Sequence, residues 1–153
     1  MSDESTQTPP AGQPVFRVEK LYLKDLSFEN PNAPESFRDP GEPRTEYQLE
    51  SNAAQKGPEH FEATLHITVK VLVGEATLFL VDVTYAGLFL MRNIPHEHIA
   101  PMLGIECPNI IFPFARQVVA SLVTEGGYTP VVLDPINFMA LYQQQLQQRQ
   151  QAE

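Results

Sequence analysis

The chain is 153 residues long, enough to bury one substantial core and too short for two, and 19 Asp and Glu against 10 Lys and Arg leave a net charge of −9. That charge argues against a nucleic-acid backbone or an anionic membrane surface as the main partner, and a basic partner suits it better. The single cysteine, Cys107, excludes an internal disulfide and fits a reducing compartment, where it reads as a small buried hydrophobe.

Residues 1–14, MSDESTQTPPAGQP, have neither a basic start nor an apolar run, so they read as no signal peptide or anchor and as a disordered tail. Nowhere do about 18 apolar residues follow one another, as a spanning helix requires, and a cytoplasmic protein is expected. From Val15 to Phe28 the apolar positions change phase, with Phe16 and Val18 on one parity and Leu21 and Leu23 on the other. This predicts a first strand bulged near Glu19 and Lys20. Residues 30–43 carry Pro31, Pro34, Pro40 and Pro43, which suit neither a ladder nor a helix interior, so an ordered connection is predicted. Thr45, Tyr47 and Leu49 alternate in a second strand, after which residues 51–59 turn the chain.

The clearest period is FEATLHITVKV, where Phe61, Ala63, Leu65, Ile67, Val69 and Val71 alternate with polar residues in a third strand. Gly74 and Glu75 then reverse the chain into a fourth, antiparallel strand. There Phe79, Val81, Val83 and Tyr85 line one face, while Leu78 and Leu80 make the other partly apolar, which implies a further contact such as another subunit. After Pro95 the pattern turns helical. Ile111, Ala115, Val118 and Leu122 mark the buried stripe, Pro113 should fall near the first turn, and Gly126 with Gly127 ends the helix. An extended VVL link follows. Asp134 as cap with Pro135 at the first helical position predicts a second helix carrying Phe138, Leu141 and Tyr142. Seven Gln between Gln143 and Gln151 should fray into a solvated tail over residues 143–153. Four strands then two helices give an α+β fold, an antiparallel sheet with two main helices packed on one face, in a single domain over residues 15–142.

Catalytic signatures are weak. His96-Glu97-His98 could turn two imidazoles to one side of an extended segment, but a zinc site needs three or four convergent ligands, and capping or surface histidines are expected. No glycine-rich phosphate loop is present, and Ser121 lies within a helix without a nucleophile elbow. Asp25 and Glu29 share a strand face, which by itself reads as a solvated acidic surface. No enzyme class, catalytic residue, metal or cofactor is therefore expected. A small enzyme or ligand-binding domain would instead show a pocket of convergent polar groups with displaced pKa values; a chaperone would show long apolar grooves. An adaptor for one folded partner would depend on that partner's native surface.

Three segments are more specific: LYLKDLSFENPNAP at 21–34, GEATLFLVDV at 74–83 and CPNIIFPFARQVVASLVTEGGYTPVVLDPINFMALY at 107–142. In order and spacing they resemble the SecB export chaperones. The resemblance implies a four-stranded sheet with a Pro-rich crossover between the first two strands, in a homotetramer built as a dimer of dimers. It further implies a passive, nucleotide-independent role: binding unfolded precursors and passing them to the SecA motor through that motor's basic, zinc-bearing tail. Carried over position by position, the SecA-binding residues are Asp25, Glu29, Leu80 and Asp82, the last standing where the family has Glu. The client groove falls to Phe37, Phe138, Leu141 and Tyr142, and the oligomer interface to Val81, Val83 and Tyr85. An aromatic expected in the crossover is missing, because this chain reads Asp39-Pro40-Gly41-Glu42 there.

Overall fold

Strict alternation over residues 61–71 builds the centre of the sheet. In the computed structural model, which describes residues 12–38 and 41–151, the strands are β1 (Val15–Glu29), β2 (Pro43–Gln55), β3 (His60–Val73) and β4 (Ala76–Arg92). All pair antiparallel in the order β1-β4-β3-β2, so the crossover carries the chain from one edge of the sheet to the other. Gly74 has a positive φ of 61° at the first of the two turn residues between β3 and β4, which is where a type II′ hairpin needs glycine. The expected tail at residues 1–14 lies mostly outside the described residues.

The helical run begins at α1 (His96–Pro101), widens into a π turn over Met102–Glu106 and continues as α2 (Cys107–Glu125); α3 spans Phe138–Gln151. Ala63, Leu65, Ile67, Val69 and Val71 are buried in one cluster with Cys107, Ile111, Ala115, Val119 and Val123 of α2, a ridge repeating every four residues. At about 1.5–3 kcal/mol for each fully buried large side chain, this stripe is the principal stabilising contact between helix and sheet.

Several boundaries differ from the sequence reading. Val118 and Leu122 sit at the margin of the buried ridge, which follows Val119 and Val123 instead. Pro113 lies inside α2, past its first turn; the amide it lacks would have bonded the carbonyl of Asn109, on the exposed side of the helix, where solvent can satisfy it. Because α1 has already started, His96 and His98 occupy one helical turn, and residues two apart on a helix diverge rather than converge. β1 is bulged at Glu19 as expected and again at Lys24, which returns Phe28 to the core face. β2 persists through Ser51–Gln55, pairing as far as Gln55 with Phe61, so only residues 56–59 turn.

The link between α2 and α3 stays extended through residue 137 because Leu133 is drawn into the core and Val131 and Ile136 pack beside it. Asp134 is therefore not the cap. Asn137 is: its side-chain oxygen accepts the Ala140 amide at 3.0 Å and its carbonyl accepts the Leu141 amide at 3.2 Å. The Gln-rich stretch is helical to Gln151, in keeping with glutamine's good helix propensity. At the end of α2, Gly127 N–H bonds the Thr124 carbonyl and Tyr128 N–H bonds the Val123 carbonyl, a Schellman motif with Gly127 at φ 94°.

Candidate functional site

α2 lies over β4 and β3, leaving the core-facing side of edge strand β2 to the π turn at one end and the 131–137 link at the other. Thr45, Tyr47, Leu49, Ser51 and Ala53 pair with core residues of β3 and point to the same side. Between them and α3 lie three adjoining cavities. One of about 230 Å³ is bounded by Tyr47, Leu49, Ile67, Val131 and Ile136. The second, about 420 Å³, is bounded by Tyr47, Leu49, Ile136, Ala140 and Leu141. A third of about 340 Å³ is bounded by Leu49, Ala53, Leu103, Gly104, Leu141 and Tyr142. Shared walls at Leu49 and Leu141 join them into one trough, apolar along its floor and edged by Ser51, Asn52, Gln144 and Gln145. At Gly104 a Cβ would come within 2.6 Å of the Tyr142 ring, so this helical glycine makes room for that ring.

Of the expected groove residues, Phe138, Leu141 and Tyr142 line this trough, the last two half-buried. Phe138 is only 3% exposed and meets Phe112 edge-on at 6.0 Å, so it anchors α3 and serves chiefly as core. Phe37 is 50% exposed but stands apart from the three cavities, tilted over Tyr128 at 5.1 Å. The sequence reading missed Tyr47, Leu49 and Ile136; Tyr47 is 61% exposed although it faces the core side. What leaves β2 open is its edge position in the strand order, which the sequence pattern does not carry.

The opposite face of the sheet is polar. Glu29 pairs with Leu80, Ser27 with Asp82 and Asp25 with Thr84, which brings Asp25, Glu29, Leu80 and Asp82 to one side. Asp25 and Glu29 are exposed and, among the described residues, make no salt bridge. Asp82 is engaged: His66 Nε2 lies 2.6 Å from it and the Thr68 hydroxyl donates to it at 3.2 Å, while His66 Nδ1 is 3.8 Å from Glu50. Farther along this face the Tyr22 hydroxyl and the Lys24 ammonium both donate to Glu62. Burial, and then the Glu62 carboxylate, push the Tyr22 hydroxyl up to about 12, while the Tyr22 hydrogen bond holds Glu62 below the usual carboxylate range.

Val81 and Val83, expected at a subunit interface, are fully buried beneath α2 and belong to the protomer's own core. Strand parity does not reveal which face a helix will claim. Tyr85 is different: half-buried, it stacks on the exposed Phe114 of α2 at 6.2 Å and pairs with the exposed Leu23. With exposed Val18 and Leu26 on the same side of β1, these residues form an apolar surface at the β1 edge.

Cys107 is buried, and burial pushes its thiol up to about 12, which favours the protonated form. No helix among the described residues is long and apolar enough to cross a membrane.

Residues 10–149 match the family described as "Preprotein translocase subunit SecB". Among curated relatives, the "Protein-export protein SecB" of Magnetococcus marinus is 54% identical, over 95% of this chain and 94% of that protein. Its namesake in Chromobacterium violaceum is 49% identical, over 92% and 93%. A solved SecB-like chaperone of Mycobacterium tuberculosis, in complex with a peptide from an antitoxin, shares the fold with a TM-score of 0.67 at 12% identity, covering 79% of this chain and 90% of that one. Family match, close relatives and shared fold agree, and the chain belongs to the SecB family.

Proposed function

We propose that this protein is an ATP-independent holdase of the cytoplasm that binds extended, unfolded precursor segments, keeps them competent for export and delivers them to SecA. The observation that carries this reading is the open trough along β2, where residues of core character lie uncovered beside α3. A surface of this kind accepts many sequences without one rigid fit. The enzyme alternative would place groups of displaced pKa in a pocket. Here the three such groups resolved, Tyr22, Glu62 and Cys107, all lie outside the trough.

Binding is passive: a protein that binds the unfolded chain shifts the folding equilibrium by mass action and uses no nucleotide. The apolar surface at Val18, Leu23, Leu26, Tyr85 and Phe114 supports assembly between copies, read as a homotetramer. Its test is the mass in solution, where a stable monomer at micromolar concentration would overturn the assembly.

A denatured, signal-bearing precursor diluted into buffer with this protein should remain soluble without ATP. Aggregation at the rate seen in buffer alone, or rescue only when ATP is added, would defeat the proposal. The acidic face is the proposed SecA dock, suited to a basic, zinc-bearing tail. Replacing Asp25 and Glu29 together by Ala should weaken SecA binding by about tenfold at low salt, flatten its salt dependence, and leave precursor holding intact. Loss of both activities in equal measure would move the dock elsewhere.

A further inference from the structure

Tyr128, just past the end of α2, reaches the crossover with both its hydroxyl and its ring. Its hydroxyl lies 2.7 Å from Asn30 Oδ1, 2.8 Å from Ser36 Oγ and 3.3 Å from the Leu78 carbonyl. The Asn30 amide nitrogen donates to the Gly126 carbonyl at 3.0 Å, which turns its oxygen toward the phenol. A phenol has one proton to give. The short Asn30 contact takes it, and Ser36 then donates its own hydroxyl proton to the phenol oxygen. One hydroxyl thus ties the start of the crossover and its single helical turn to the end of α2.

The ring adds a second layer, lying between the core ring of Phe79 at 4.9 Å and the exposed ring of Phe37 at 5.1 Å. Among the described residues, the backbone bonds of the helical turn are local: the amides of Ser36, Phe37 and Arg38 bond carbonyls of Asn32, Pro34 and Glu35. One further tie, from the Asn32 amide to the Thr77 carbonyl, reaches the sheet at 2.7 Å. Three residues beyond Tyr128, Val131 begins the link that roofs the trough.

We infer that the Tyr128 hydroxyl is a positioning group for client binding, a latch that fixes the crossover and its Phe37 ring at the end of the segment roofing the groove. This rests on the holdase reading above. Tyr128→Phe keeps the ring and removes both hydrogen bonds. Hydrogen exchange at Ser36, Phe37 and Arg38 should accelerate by about tenfold, with amides of β3 and α2 unchanged. Client dissociation should quicken by about three- to tenfold, with little change in association or in Tm.

Ser36→Ala should give a smaller effect of the same kind, and added to Tyr128→Phe it should give nothing further, because the two act through one bond. Unchanged crossover exchange in both variants would overturn the latch. Faster exchange with unaltered client kinetics would overturn its role in binding. Failure of the holdase reading is distinguishable, because the unsubstituted protein would then hold no client at all.

Discussion

Phe138→Ala should cost about 3–5 kcal/mol of stability, the range for deleting a buried phenylalanine, and should lower Tm by many degrees. Two observations set this size: the ring is 3% exposed, and it meets Phe112 of α2 edge-on at 6.0 Å. The rest of α3 buries little. Met139 and Leu146 are exposed and no other residue of the helix is buried, so Phe138 is its main attachment to the core. Client binding in this variant should fall only as the folded fraction falls. A Tm within a couple of degrees of the parent, with client affinity reduced, would mean that the ring works in the trough instead.

Leu141→Ala combined with Tyr142→Ala should do the reverse. Both side chains are half-buried and line the trough, so a client supplies the contacts that water otherwise makes. Burying one such side chain fully is worth about 1.5–3 kcal/mol, and losing two should raise the dissociation constant for an unfolded client by more than tenfold. Stability should change far less than in Phe138→Ala, because Asn137 still caps the helix and Phe138 still holds it. Thermal unfolding and client affinity measured on the same protein separate the two cases. Unchanged affinity in a well-folded double variant would remove α3 from the site.

The contrast between Phe138 and its neighbours marks where sequence reasoning reached its limit. Period-two alternation identified β3 residue by residue, because a strand with one dry face writes its burial directly into its pattern. The Gly74 hairpin was equally legible, since a two-residue reversal needs a positive φ. Parity also put Asp25 with Glu29 and Leu80 with Asp82, and the pairing of β1 with β4 brings the two pairs to one face. It could not show that His66 and Thr68 hold Asp82, because that contact depends on neighbouring strands being in register.

Patterning likewise could not tell an apolar face that is covered from one left open. Val81 and Val83, given to the subunit interface by the family resemblance, are buried; Tyr47 and Leu49 looked like ordinary strand residues and line the trough. Strand order decides this, by placing β2 at an edge that α2 does not reach. The start of α3 was misplaced for a related reason. Asp134-Pro135 is a sound local start signal, but burial of Leu133 holds the chain extended until Asn137, and tertiary packing prevailed over local propensity.

The manner in which α3 is attached has a mechanical consequence. Fixed over its first turns by buried Phe138 and half-buried Leu141 and Tyr142, the helix is a cantilever, and its free end carries exposed glutamines that lose little when they part from the sheet. Deflecting such a rod costs least at the tip and most at the root. The trough beneath it therefore has a stiff end near Ile136 and a compliant end near Gln145 and Arg149, so bulky and slender side chains can be seated in one groove without repacking the core.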